Sequence, residues 1–179
     1  MIFAAGIPAA EHAQPDDVAQ IAQLVNCAYR PGDGPQGWTH EAELVSGARI
    51  TAAQVAALFG DDSSVLVVRQ DTHVVACVHV VCTGPSCTIG MLATDPQRQS
   101  LGVGKHLLAA AEHLARQRYG AKVLTMFVLS ERPELLAYYQ RRGYALTGRS
   151  EPYPVNAHVG FPVKQNLRVL VLEKQVDRS

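Results

Sequence analysis

The sequence predicts an α/β (α+β) domain: a mixed central sheet of about six to seven strands, flanked by helices on both faces. Three observations carry this. Helically spaced apolar residues open the chain, β-branched runs separated by turn residues fill 63–94, and a strand–helix–strand unit follows. Strands and helices mixed in this order need a sheet covered on two sides.

The first helix starts at an acidic N-cap, Asp16 or Asp17, and spaces Val18, Ile21, Ala22, Val25 and Ala28 along one face. Pro31 to Trp38 is a Gly/Pro-rich loop. "THEAELVSG" and "TAAQVAALFG" each begin at a threonine (Thr39, Thr51) and stop at a glycine (Gly47, Gly60), which predicts two short helices. "SSVLVVRQ", "THVVACVHVVC" and "CTIGMLAT" predict a meander of three strands. Gly90 inside the third suggests a bulge or local splay. A long helix from about Leu101 carries the stripe Val103, Leu107, Ala110, Ala111 and Leu114, and stops at Gly120. A strand ("AKVLTMFVLS"), a helix ("ERPELLAYYQRRG", Pro133 at a tolerated early position) and strands around "YALTGRS" and "LRVLVLEKQ" complete the chain. The central crossover is expected to be right-handed and parallel.

At 179 residues the chain suits one domain spanning 1–179, and 47% hydrophobic against 18% charged residues describes a folded protein. Formal net charge is zero and the pI is near 7.0, which recommends neither nucleic acid nor an anionic membrane as partner. No apolar run is long enough to span a bilayer, and "MIFAAGIPAAEHAQ" has no basic n-region, so the expected location is cytoplasmic. The four cysteines form no CxxC pair and no zinc spacing, so no metal is expected. Cys82 and Cys87 flank a turn, "TGPS", where they can face each other across a hairpin; reduced, buried thiols are expected there.

Gly102 and Gly104 stand at the mouth of the long helix, although glycine costs about 1 kcal/mol relative to alanine inside a helix. A helix N-terminus offers unpaired N–H groups and partial positive charge, and glycines let an anion approach the backbone. A P-loop would need Ser or Thr after Lys105, where His106 stands; a GxGxxG dinucleotide loop would need glycine where Leu107 stands. What remains is Gln-x-x-Gly-x-Gly at Gln99, Gly102 and Gly104.

Placed between strand and helix, that stretch resembles the acetyl-CoA pyrophosphate loop of the GCN5-related N-acetyltransferase (GNAT) superfamily. A second signature, "AYYQRRGYALTG", is similar to the family's late helix, with Tyr139 followed by Gly143 and Tyr144. The resemblance covers roughly Ser64 to Gly148; Trp38-Thr39-His40-Glu41 is also similar to some bacterial members.

The resemblance implies transfer of acetyl from acetyl-CoA to a primary amine by direct attack. Main-chain amides from Leu101 to Lys105, including those of Gly102, Val103 and Gly104, would hold the diphosphate beside Ser100, with Gln99 adding a side-chain donor. Lys105, Arg98, Arg141 or Arg142 would meet the 3′-phosphate. Leu92, Ala93 and Thr94 would pair with the pantetheine arm, and the Leu92 N–H would polarise the thioester carbonyl. Tyr139 occupies the family's acid position, although it or Tyr138 also fits as a core aromatic. The amine must lose a proton, and "TIGMLAT" lacks the strand glutamate many members carry. His79 is the candidate base, directly or through water, with a hydrogen-bonded core histidine as the alternative. Trp38, His40 and Glu41 are candidates for contacting the acceptor. Arg132 stands about where many members place Asn. Homodimers are common in the family. A small-molecule amine is the leading acceptor; a peptide or protein amine, or a regulatory module that binds acyl-CoA without turnover, are the alternatives.

Overall fold

A computed structural model describes residues 6–176. The strands are β1 (Glu11–His12), β2 (Val45–Ser46), β3 (Ser63–Gln70), β4 (His73–Thr83), β5 (Ser86–Thr94), β6 (Val123–Leu129), β7 (Ala145–Pro152), β8 (Phe161–Pro162) and β9 (Arg168–Gln175). The helices are α1 (Val18–Tyr29), α2 (Ala52–Ala56), α3 (Val103–Tyr119) and α4 (Pro133–Gln140). Seven strands form one mixed sheet in the order β1-β3-β4-β5-β6-β9-β7, while β2 and β8 pair separately. Only β5 and β6 run parallel among the described pairs, which is the crossover that α3 makes.

Alternation along β3 explains the layers. Val65 and Val67 pack with Ile21 and Val25 of α1, whereas Leu66 and Val68 face the other way, with Leu107 and Ala111 of α3. Fully burying such a side chain stabilises the fold by roughly 1.5–3 kcal/mol, so each layer carries much of the stability. α2 is short but well started: Thr51 Oγ1 accepts from the Gln54 N–H, and Gln54 Oε1 accepts from the Thr51 N–H. Both ends of α3 need a left-handed residue, and glycine supplies it at Gly102 (φ 84°) and Gly120 (φ 64°).

β5 contains the decisive irregularity. His79 pairs with Gly90 and Cys77 with Ala93, so two residues of β5, Met91 and Leu92, stand opposite one of β4. Met91 adopts φ 51° to make this bulge. An extra residue reverses which side chains face which layer. Ile89 therefore packs toward α3, Met91 and Ala93 pack toward α1, and Leu92 returns to the α3 side. β5 also separates from β6 here: the two pair only from Ser86↔Val123 to Thr88↔Thr125.

Three expectations are corrected. Thr39–Gly47 is not a helix but a run of turns ending in β2, and β2 is held by pairing with β8. Its carbonyls are drawn outward by a distant arginine, described below, which overrides local helix preference. The Asp17 carboxylate does not cap α1; it accepts from the Gln14 N–H at 2.7 Å and pairs with Arg69 at 2.5 Å. Cys82 and Cys87 are not reduced: the hairpin register sets them directly opposite each other, and they form a disulfide.

Candidate active site

Two cavities meet beside the gap between β5 and β6. One, of about 310 Å³, is walled by Trp38 and Thr39, by Thr94, by the loop and helix start from Gln99 to Lys105, and by Tyr138 and Arg142. The other, of about 520 Å³, is walled by Glu41 and Arg49, by Gln54 and Leu58 around α2, by His79, by Met126 to Leu129 of β6, and by Tyr153 and Val159. Tyr29, Leu92, Leu135 and Tyr139 line both. Whatever passes from one cavity to the other passes these four side chains.

The first cavity fits an elongated anion. α3 begins its hydrogen bonding with the His106 N–H to the Gly102 carbonyl, and the N–H groups of Val103, Gly104 and Lys105 have no acceptor among the described residues. They point from a helix start toward a space lined by Ser100, Gly102, Gly104 and Lys105. A Cβ at Gly104 would come 3.3 Å from Thr94 Oγ1, so the floor of that space is tight as well as bare. Val103 itself is core, 1% exposed, and Ala93 is buried under α1, so each can serve only through its main chain.

The Gln99 side chain is bonded within the chain through both its amide oxygen and its amide nitrogen. Its Oε1 accepts from the Trp38 N–H at 2.8 Å, and its Nε2 donates to Thr39 Oγ1 at 2.8 Å and to the Thr94 carbonyl at 3.3 Å. Both amide hydrogens are thus committed within the chain, and the side chain ties the loop to Trp38–Thr39 at the wall of the first cavity. Arg132 grips the same stretch from α4. Buried to 4% exposure, it donates to the carbonyls of Trp38 (3.0 Å), Thr39 (3.1 Å) and His40 (3.0 Å), and pairs with Glu134. This is the physical work of the arginine at that position.

Of the expected phosphate-contacting cations, Lys105 and Arg142 line the first cavity, and Arg142 also lies over the Tyr138 ring at 3.3 Å. Arg98 pairs with Asp95 and lines a different cavity, of about 710 Å³, beside α1. Arg141 is exposed outside the cavities described. Trp38 lines the first cavity and not the second, tilted against Tyr138 with ring centroids 5.5 Å apart. His40 lines neither cavity; Glu41 lines the second but is held by Arg30 at 2.7 Å.

Tyr139 is 7% exposed and lines both cavities, and its hydroxyl makes no hydrogen bond among the described residues. Burial, reinforced by the neighbouring Tyr29 and Tyr138, pushes its phenol well above the ordinary tyrosine range, so it stays protonated. Tyr29, which sequence reasoning did not single out, donates to the Leu92 carbonyl at 3.0 Å and fixes the bulge. Its signal was only a position on a helix end.

His79 faces the second cavity. Ser63 Oγ donates to the Leu58 carbonyl at 2.5 Å and lies 2.7 Å from His79 Nε2. A carbonyl only accepts, so the serine hydrogen goes there and Nε2 must donate to Ser63; the hydrogen-bond pattern leaves Nδ1 with a bare lone pair. Burial pushes the ring's pKa down to about 4, so this lone pair persists at neutral pH.

A helix start with free amides, a splayed strand and a buried phenol between two cavities make up the candidate site. The sequence matches the acetyltransferase (GNAT) family over residues 19–144, and the chain belongs to that family. Its fold is similar to the ribosomal-protein-S18-alanine N-acetyltransferase of Escherichia coli (TM-score 0.71, 14% identity, 95% of this chain and 94% of that one). It is also similar to yncA of Salmonella typhimurium, solved with acetyl-CoA (TM-score 0.69, 19% identity, 95% and 94%). A third likeness is the IAA acetyltransferase of Bacillus cereus (TM-score 0.64, 18% identity, 93% and 98%). No curated protein sequence matches this chain. No helix among the described residues is long and apolar enough to cross a membrane.

Proposed function

We propose that the protein is a single-domain, cytoplasmic N-acetyltransferase that moves the acetyl group of acetyl-CoA to the primary amine of a small molecule. The observation that carries this reading is the meeting of the two cavities at Leu92 and Tyr139. Acetyl-CoA supplies an acetyl group activated as a thioester. The N–H groups of Val103, Gly104 and Lys105 hold the diphosphate, Lys105 and Arg142 meet the 3′-phosphate, and the backbone of Leu92 to Thr94 lies along the arm. The Leu92 N–H polarises the thioester carbonyl, an interaction worth a few kcal/mol when the donor is fixed in place. Tyr139 gives a proton to the departing sulfur, and His79 Nδ1 receives the amine's proton directly or through water.

A small acceptor is favoured over a peptide because the 153–159 segment walls the second cavity. Gln54 Nε2 holds this segment through the carbonyls of Ala157 and His158, while the Tyr153 hydroxyl donates to the Val159 carbonyl. The test combines thermal shift with release of the CoA thiol. Micromolar CoA should raise the melting temperature, and an amine panel should show turnover. Tyr139→Phe should lower kcat by about 10²-fold and leave acetyl-CoA affinity nearly unchanged. Binding without turnover on any amine would favour a regulatory module instead.

A further inference from the structure

Arg49 projects into the acceptor cavity, and its guanidinium meets no carboxylate or carbonyl among the described residues. Its contact is with the face of Tyr29, whose ring centroid lies 5.5 Å from the guanidinium carbon. The backbone beneath it is rigid: Asn26 Oδ1 accepts from the N–H groups of Arg49 (2.7 Å) and Ile50 (3.3 Å), and Asn26 Nδ2 donates to the Ile50 carbonyl at 2.8 Å. The one carboxylate that lines the cavity, Glu41, is already neutralised by Arg30, with both side chains nearly buried. The remaining titratable groups on the walls, His79 and three tyrosines, are uncharged near neutral pH. An excess positive charge with an unfilled fork therefore stands among apolar walls such as Leu58, Phe127 and Val169.

A planar guanidinium in such surroundings matches a carboxylate with two parallel hydrogen bonds, and its charge acts strongly where water is scarce. The same charge opposes a polycationic acceptor. Tyr29 also donates to the Leu92 carbonyl, so a single tyrosine ring separates Arg49 from the strand where acetyl transfer is placed. Resting on the acetyl-transfer reading above, we infer that the acceptor is an amino acid, a primary amine with a carboxylate close by, and that Arg49 binds that carboxylate.

The experiment compares the standard amino acids with their C-terminal amides and with spermidine, monitoring CoA thiol release, alongside calorimetry of acetyl-CoA binding. At least one acid should be used with kcat/KM about tenfold or more above its amide. Arg49→Gln should lower kcat/KM for that acid by about ten- to a hundredfold, chiefly through KM, and change its amide by less than about twofold. Arg49→Lys should recover part of the loss, because it keeps the charge without the fork. Acetyl-CoA affinity should be unchanged in both variants, which also reports that they fold. Preference for amides or spermidine, an equal effect of Arg49→Gln on acid and amide, or acetyl-CoA binding with no turnover of any acid would overturn the assignment. Failure to bind acetyl-CoA at all would instead bring down the acetyl-transfer reading on which it rests.

Discussion

The amide oxygen of Gln99 accepts the Trp38 N–H at 2.8 Å, joining the loop before α3 to a segment 61 residues earlier. Gly37 sits so close that a Cβ there would lie 2.3 Å from the same oxygen. Gln99 thus acts as a latch on the wall of the first cavity. Gln99→Ala should lower stability by about 1–2 kcal/mol in urea unfolding and raise the KM for acetyl-CoA with little change in kcat. Thr39→Val, which removes one of the latch's acceptors, should shift both quantities in the same direction. A Gln99 variant with weakened acetyl-CoA binding and wild-type stability would mean that the side chain touches the ligand after all.

Gly102 is required by its backbone rather than by space. Its φ is 84°, and an added Cβ would meet only Ile7 Cδ1, at an ordinary 3.5 Å. Gly102→Ala should therefore lower stability by about 1–2 kcal/mol through strain at a left-handed position. The amides of Val103 to Lys105 follow directly, so acetyl-CoA affinity should fall several-fold. Calorimetry showing full affinity in a destabilised variant would contradict the role given to those amides.

His79 has a pH signature with a definite sign. Its pKa lies near 6.5 in the unfolded chain and about 4 in the fold, because burial penalises the imidazolium. Between those values the unfolded state binds more protons, so stability is fully present above pH 6.5 and is lost as pH falls toward 4. The contribution is about 3 kcal/mol at most. His79→Gln keeps a donor for Ser63 but cannot take up a proton. Its urea midpoint, compared with wild type at pH 7 and pH 4, should show the gap closing or reversing at the acid end. Parallel pH curves for the two proteins would refute the neutral, buried assignment.

Thiol accessibility tests the hairpin. Cys82 and Cys87 are bonded, Cys27 is exposed and Cys77 is buried, with its thiol pushed up to about 12. Alkylation followed by mass analysis should label Cys27 alone in the native protein and both Cys27 and Cys77 after denaturation. Cys82 and Cys87 should require a reductant as well. Labelling of Cys82 or Cys87 in unreduced, denatured protein would show that the bond does not form.

The parts of the site that depend on local chemistry were legible in the sequence. Glycines at a helix mouth, Gly90 in a strand and a tyrosine late in a helix each announce themselves through backbone or face. The parts made by distant partners were not. Thr39–Gly47 has helix-like spacing, and distant partners hold it in another shape: Arg132, reaching across 92 residues to the His40 carbonyl, and β8, paired with β2. Arg49 carries no motif, and its importance appears only once Arg30 is seen to neutralise Glu41. The disulfide followed strand register, which outweighed an expectation based on cellular redox conditions.

The bulge at Met91 and the parting of β5 from β6 have an evolutionary corollary. Of the two cavities, residues of 41–58 and 153–159 wall only the second, and residues of 94–105 wall only the first. Mutations that reshape one chamber need not disturb the other, because these segments are separate and the chambers share only Tyr29, Leu92, Leu135 and Tyr139. On the acetyl-transfer reading, a lineage can therefore drift toward new amines while keeping its grip on the acetyl donor, provided the tyrosine and the leucine at the doorway are left alone.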